Sequence, residues 1–163
     1  MMGFLSRLFP KRAPAVLDAR PTDAAALAAV HAASFRHGWS EPEFERLLAD
    51  RSVIAQAARA EGGRGRITGF ILSRLAADEA EILTVAVEPA ERGRGLASDL
   101  VRRHLSRLAA LGVARVFLEV EEGNRPALRL YSRAGFGEVG QRKGYYPRAA
   151  GAAAALVLRR DLG

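Results

Sequence analysis

The sequence contains no cysteine, which excludes disulfide bonds, thiolate nucleophiles and cysteine-ligated metal sites. Aromatic residues make up only 7% of the chain, and no apolar run approaches the ~18 residues that span a bilayer. Lysine is nearly missing, since Lys11 and Lys143 are the only two. Arginine therefore carries almost all of the net charge of +7, spread among acidic residues rather than gathered into a nucleic-acid-binding stripe. We expect neither DNA binding nor a membrane span.

The chain has enough apolar residues to fold as one domain, with 163 residues and a hydrophobic content of 49%. Residues 1–14 are basic and predict a flexible leader ahead of a single domain over residues 15–163. No signal-peptide core is present in that leader, so the cytoplasm is the default location. The oligomeric state is left open by the sequence.

The three histidines give no indication of a metal site. His31, His37 and His104 lack the spacing of metal ligands, so we predict no metal. We assign His104 to the polar side of its helix and expect it to face solvent.

The most informative segment is a strand that leads through a glycine loop into a helix. An apolar run from Leu83 to Val87 is stopped by Pro89, and the basic turn Arg92 to Gly95 follows. An amphipathic run from Leu96 to Leu111 begins directly after that turn. Backbone N–H groups of such a loop and the positive end of the helix dipole suit a pyrophosphate.

This loop is neither of the two common nucleotide loops. It lacks the Gly-Lys-Ser/Thr ending of a Walker loop and the third small residue of a dinucleotide fingerprint. Its pattern Arg92-x-x-Gly95-x-Ala97 is similar to the coenzyme A loop, Q/R-x-x-G-x-G/A, of the GNAT family of N-acetyltransferases.

The other segments predict an α/β (α+β) domain. Hydrophobic spacing and turn residues indicate a strand, two helices, three antiparallel strands, a helix, a strand, a helix and two strands. Ser40 and Glu43 form a capping box at the start of the second helix, and Gly112 ends the helix after the loop. The result is one mixed sheet flanked by helices.

A second stretch, Leu118 to Phe136, resembles the other conserved motif of these acetyltransferases. It follows L-E-V-x-x-x-N-x-x-A-x-x-L-Y-x-x-x-G-F. Together with Trp39-Ser40 and Tyr145-Tyr146-Pro147, it is similar to the RimI-type N-alpha-acetyltransferases, which acetylate the N-terminal alanine of a small-subunit ribosomal protein. The resemblance covers roughly residues 16–160. It implies a mixed sheet that is splayed at its middle strands and flanked by about four helices.

The resemblance also implies roles for individual residues, with acetyl-coenzyme A as cosubstrate and no metal. Glu119 matches the general base and Tyr131 the general acid. Trp39, Tyr145 and Tyr146 match substrate-binding positions. The positions that match cofactor binding are Val85, Ala86 and Val87 for the pantetheine arm, Arg92, Gly93, Arg94, Gly95, Leu96, Ala97 and Ser98 for the pyrophosphate, and Asn124 for a hydrogen bond to coenzyme A.

Several alternatives stay open at this point. Glu81 is a rival base, because other acetyltransferases place one at the corresponding strand. The family's acidic pair before the last strand is replaced by Ala152 to Ala155, which favours a different acceptor, such as a lysine side chain or a small amine. A binding module for acyl-coenzyme A without catalysis is a further interpretation.

Overall fold

The computed structural model describes residues 12–142 and 154–163. In chain order its elements are β1 (Ala15–Asp18), α1 (Ala24–Ser34), α2 (Glu41–Ala49), β2 (Val53–Arg59), α3 (Ala60–Gly63), β3 (Ile67–Ala76), β4 (Glu79–Val87), α4 (Leu96–Ala110), β5 (Arg115–Glu121), α5 (Arg125–Arg133), β6 (Gly137–Arg142) and β7 (Ala155–Asp161). The strands form one seven-stranded sheet in the order β1-β2-β3-β4-β5-β7-β6. The predicted mixed α/β fold is confirmed.

Local sequence signals explain most of the element boundaries. Ser40 accepts a hydrogen bond from the Glu43 N–H at 3.3 Å, and the Glu43 carboxylate accepts one from the Ser40 N–H at 3.2 Å. This is the predicted capping box at the start of α2. The predicted turn after β2 is the single helical turn α3, with positive φ at Glu61 and Gly62.

The sheet opens between its two central strands. The parallel strands β4 and β5 pair only at Glu79 with Arg115, at Ala80 with Val116 and at Glu81 with Phe117. Beyond these pairs the two strands diverge, which confirms the predicted splay. A β-bulge in β4 opposite Leu72 and Ser73 leaves Leu83 without a partner just where the separation begins.

Two apolar cores cover the two faces of the sheet. In β3, Ile71 packs with the α4 stripe that includes Leu100 and Leu108, while Phe70 packs with Leu27 of α1 and with α2. Alternation of side chains along a strand divides the residues between the cores. Among the residues that the structure describes, no helix combines the length and apolar character that crossing a bilayer requires.

The expectation that His104 faces solvent is wrong. His104 is fully buried between α4 and the sheet, with Nε2 2.6 Å from the Ser73 hydroxyl and Nδ1 3.1 Å from Gln56 Oε1. It lies four residues after Leu100 and three after Val101, so helical spacing puts it on the buried stripe. Burial lowers the pKa of His104 to about 4, and the ring is neutral at pH 7.

Candidate active site

The glycine loop between β4 and α4 encloses open space at the start of a helix. Gly93 and Gly95 have φ of 79° and 78°, and a Cβ added at either would meet nothing within 4 Å. The first N–H groups of a helix have no intrahelical partner, and no side chain caps α4, so these donors also lack a side-chain acceptor. Gly93, Gly95 and the first turn of α4 line a cavity of about 270 Å³, the loop cavity. This cradle fits a phosphate group.

The two loop arginines are turned toward protein groups. Arg92 donates to the Val87 carbonyl at 3.4 Å and to the Ser34 hydroxyl at 3.2 Å, which ties the end of β4 to α1. The guanidinium of Arg94 lies 3.7 Å from the Glu91 carboxylate. Arg92 still borders the loop cavity, whereas Arg94 lines a different cavity on the Arg12 side.

Two arginines that the sequence analysis missed complete the wall of the loop cavity. Arg129 and Arg133 reach it from α5. Their spacing of four residues, repeated back to Arg125, is a signal that could have indicated one basic side of this helix.

The splay between β4 and β5 forms a second space of about 490 Å³, which we call the strand cavity. Both predicted catalytic residues line it, Glu119 from β5 and Tyr131 from α5. Val85 and Asn124 also border it, whereas Val87 borders the loop cavity. Ala86 is buried and packs with the α1 and α2 core, so what it can offer a ligand is its backbone.

Glu119 lies where the strand cavity meets a third space of about 640 Å³, which we call the outer cavity. Its carboxylate accepts a hydrogen bond from the guanidinium of Arg142 at 3.1 Å, and the side chain of Glu119 is 39% exposed. Glu81 lines the outer cavity and not the strand cavity. A carboxylate at Glu119 therefore reaches both spaces.

Tyr131 is buried beside Phe136, whose ring is 5.7 Å away and nearly perpendicular. Burial raises the pKa of Tyr131 to about 12, because the phenolate would lose its hydration. The hydroxyl therefore keeps its proton throughout the neutral range.

Asn124 precedes α5 and serves as its N-cap. Its side chain accepts a hydrogen bond from the Ala127 N–H at 3.3 Å. The oxygen of the amide is occupied in this way, and the side-chain NH₂ group remains as a donor toward the strand cavity.

An aromatic cluster holds Trp39 at the outer and strand cavities. The backbone N–H of Trp39 donates to His31 Nδ1 at 3.1 Å, and the two rings stack with centroids 4.8 Å apart. Phe44 packs edge-on against His31. Burial lowers the pKa of His31, which keeps Nδ1 free to accept this bond. The predicted substrate residues Tyr145 and Tyr146 lie outside the described residues.

Two further residues of the strand cavity that are both polar and buried had no signal in the sequence. His31 was given no role, and Thr84 reads as an ordinary strand residue. The Thr84 hydroxyl is buried and has no hydrogen-bond partner within residues 12–142 and 154–163. The same described ranges contain no cluster of three or more His, Asp or Glu side chains that could hold a metal ion.

Comparisons with known proteins point to one family. A sequence model described as "Acetyltransferase (GNAT) family" matches residues 24–136. The N-alpha-acetyltransferase RimI of Mycobacterium tuberculosis is 40% identical over 126 residues, which cover 77% of each chain. The ribosomal protein bS18-alanine N-acetyltransferase of Escherichia coli K12 is 31% identical over 120 residues, which cover 74% of this chain and 78% of that one.

A solved structure adds the match in three dimensions. The crystal structure of the ribosomal-protein-S18-alanine N-acetyltransferase from Escherichia coli superimposes with a TM-score of 0.81 at 26% identity. The match covers 91% of this chain and 94% of that chain. The overall fold is thus common to both proteins.

Proposed function

This chain belongs to the GNAT family of acetyltransferases, and from that premise we propose that it acetylates the N-terminal amine of a protein. The chain is an N-acetyltransferase, and enzymes of this family use acetyl-coenzyme A. The proposed acceptor is an N-terminal alanine of a small-subunit ribosomal protein. The ribosomal protein bS18-alanine N-acetyltransferase of Escherichia coli supports this acceptor, and the N-alpha-acetyltransferase RimI of Mycobacterium tuberculosis supports transfer to an N-terminal amine. We assign the reaction to the cytoplasm, where ribosomal proteins are made.

The loop and strand cavities suit the acetyl donor, which supplies an acetyl thioester. The open cradle at Gly93 and Gly95 would hold the pyrophosphate through backbone N–H groups, including those of Leu96, Ala97 and Ser98. The free edge of β4 from Val85 to Val87, unpaired with β5, would offer backbone groups to the pantetheine arm. Asn124 would donate its side-chain NH₂ group from the start of α5.

Glu119 carries the proposal, because its carboxylate borders both the strand cavity and the outer cavity. An N-terminal ammonium group, with a pKa of about 7.7–8.0, must lose a proton before it attacks the thioester. An acceptor that enters through the outer cavity would meet this carboxylate where the thioester is to be attacked. Glu119 is therefore proposed as the general base, acting directly or through one water.

Tyr131 is proposed as the general acid. The departing thiolate needs a proton, and the Tyr131 hydroxyl is protonated at neutral pH because burial raises its pKa to about 12. The unpaired N–H groups of β4 would stabilise the negative charge that develops on the acetyl oxygen.

The outer cavity suits a peptide amino terminus. Trp39 and Leu47 give it an apolar wall. Its four carboxylates outnumber its two arginines, so the wall has an excess of negative charge that attracts a cation. The carboxylates are those of Glu43, Asp50, Glu81 and Glu119, and the arginines are Arg46 and Arg74. Trp39 is proposed to contact the first residue of the acceptor. Tyr145 and Tyr146 stay proposed substrate contacts on the resemblance alone.

Acetyl transfer to two matched peptides tests the proposal. One peptide has a free N-terminal alanine and no lysine; the other has a blocked N-terminus and one internal lysine. Mass spectrometry after incubation with acetyl-coenzyme A should detect an added acetyl group on the first peptide only. Acetylation of the second peptide alone would contradict the proposal and favour a lysine or small-amine acceptor. A protein that binds the cofactor and acetylates neither peptide would instead be a coenzyme A-binding module.

A further inference from the structure

A basic cavity continues from the glycine loop beside α4, and the proposed acetyl transfer does not require it. It measures about 430 Å³ and shares Gly95, Ser98 and Arg133 with the loop cavity. We call it the arginine cavity. A molecule whose pyrophosphate lay at the loop would have its next group within reach of this space.

Three arginines from three different elements line the arginine cavity. Arg102 comes from α4, Arg133 from α5 and Arg160 from β7. Asp99 is the one carboxylate in the wall of this cavity, and Arg102 and Arg103 both pair with it. The wall therefore carries an excess of positive charge in a concave space, which suits a doubly charged anion.

Arg133 is the arginine with its donors available. Arg102 is engaged by Asp99, and Arg160 donates to the Ala134 carbonyl at 2.6 Å at the end of α5. In the described ranges, Arg133 makes neither an ion pair nor a side-chain hydrogen bond, and it stands between the two cavities. Its planar group of five donors fits a phosphate monoester better than an ammonium would.

We propose that the arginine cavity binds the 3′-phosphate of the coenzyme A ribose, with Arg133 as the residue that recognises it. The proposal rests on the proposed use of acetyl-coenzyme A at the same site. A phosphate monoester carries a charge close to −2 at neutral pH, which matches the excess positive charge of this wall. The enzyme would then distinguish coenzyme A from 3′-dephospho-coenzyme A, which has the same pantetheine arm and pyrophosphate.

Isothermal titration calorimetry on the full chain, with coenzyme A and with 3′-dephospho-coenzyme A, tests this without any acceptor. Wild type should bind coenzyme A about tenfold more tightly, the effect of one charge-assisted contact. Arg133→Gln should bring the two dissociation constants to within about twofold of each other, by weakening coenzyme A alone. Arg133→Lys should keep part of the preference.

Arg125→Gln is the matched control, because Arg125 is an exposed arginine of α5 that lines neither the loop cavity nor the arginine cavity. It should keep the full preference. Equal binding of both compounds by wild type, or an unchanged preference in Arg133→Gln, would overturn the proposal. A preference for coenzyme A over 3′-dephospho-coenzyme A, without acetylation of either test peptide, would exclude the proposed acceptor and still support this subsite. Acetylation of the alanine peptide, together with equal affinity for coenzyme A and 3′-dephospho-coenzyme A, would support the proposed acceptor and exclude this subsite.

Discussion

Two carboxylates compete for the role of base at the scale of single residues. Glu81 and Glu119 differ in their position relative to the opening of the sheet. The strands β4 and β5 still pair at Glu81 and separate beyond it. Glu119 follows the separation and borders both cavities, whereas Glu81 borders the outer cavity. Geometry thus favours Glu119.

Glu119→Gln should lower kcat for the alanine peptide by about 10²–10⁴-fold, the usual contribution of a general base. The dissociation constant for coenzyme A should change little, because Glu119 does not border the loop cavity, where the pyrophosphate is proposed to bind. Steady-state kinetics and calorimetry measure the two quantities. Glu81→Gln is the matched control, and a larger loss of kcat in that variant would transfer the role to Glu81.

Tyr131→Phe should lower kcat by about 10²-fold or more, because the ring stays while the proton donor is removed. The packing against Phe136 is kept, so the protein should still fold and bind coenzyme A. In wild type, kcat should not fall between pH 8 and about 10 through ionisation of this group, because burial raises the pKa of Tyr131 to about 12. A full rate in the Phe variant would exclude Tyr131 as the acid.

At the scale of elements, the glycine loop combines two requirements at one residue. Gly95 must adopt φ of 78° to start α4, and the space above it must stay open for a ligand. Gly112 at the other end of α4 has φ of 87° and equally open space, but it borders none of the three cavities of the site.

Gly95→Ala and Gly112→Ala should therefore each cost about 1 kcal/mol of unfolding free energy, from the left-handed backbone alone. Only Gly95→Ala should also weaken coenzyme A, because its Cβ would project at the proposed phosphate position. Urea unfolding and calorimetry of both variants separate the two effects. Equal affinity for coenzyme A in the two variants would count against a phosphate at this loop.

At the scale of the whole molecule, His104, buried with Gln56 and Ser73 between α4 and the sheet, makes the stability of the fold depend on pH. Gln56 Oε1 can only accept, so His104 Nδ1 carries the proton and Nε2 accepts from the Ser73 hydroxyl. A proton on Nε2 would place a positive charge in a dry interior, where it would lose its hydration. The folded protein therefore resists protonation of His104 down to about pH 4.

Unfolding free energy should fall as the pH is lowered from about 6.5 to about 4, because the unfolded chain takes up a proton on His104 that the folded chain refuses. Stability is full above the unfolded pKa, and the total loss from this residue is about 3 kcal/mol. His31, whose pKa burial also lowers, acts in the same direction. Urea titrations at several pH values should give a shallower dependence for His104→Gln than for wild type. An identical dependence would show that His104 titrates normally.

Much of the fold follows from local signals. The amphipathic spacing from Leu96, the capping box at Ser40 and the alternation in β5 each determine an element without distant contacts. The boundaries of some elements differ by a few residues from their sequence signals; β4, for example, begins at Glu79, ahead of the apolar run that starts at Leu83. Pairing with β3 extends β4 beyond its apolar run. The apolar run does not reveal this pairing, because the pairing depends on a second strand.

The sequence by itself determined the kind of chemistry, because motif residues such as Gly95, Glu119 and Tyr131 keep their spacing whatever the packing. Only the tertiary structure decided which groups face one another. It turned Arg92 onto Val87 and Ser34, brought Arg129 and Arg133 to the loop, and buried His104 against Gln56 and Ser73. These outcomes depend on strands and helices that are far apart in the chain, and a side chain's charge or polarity does not reveal which neighbour folding will give it.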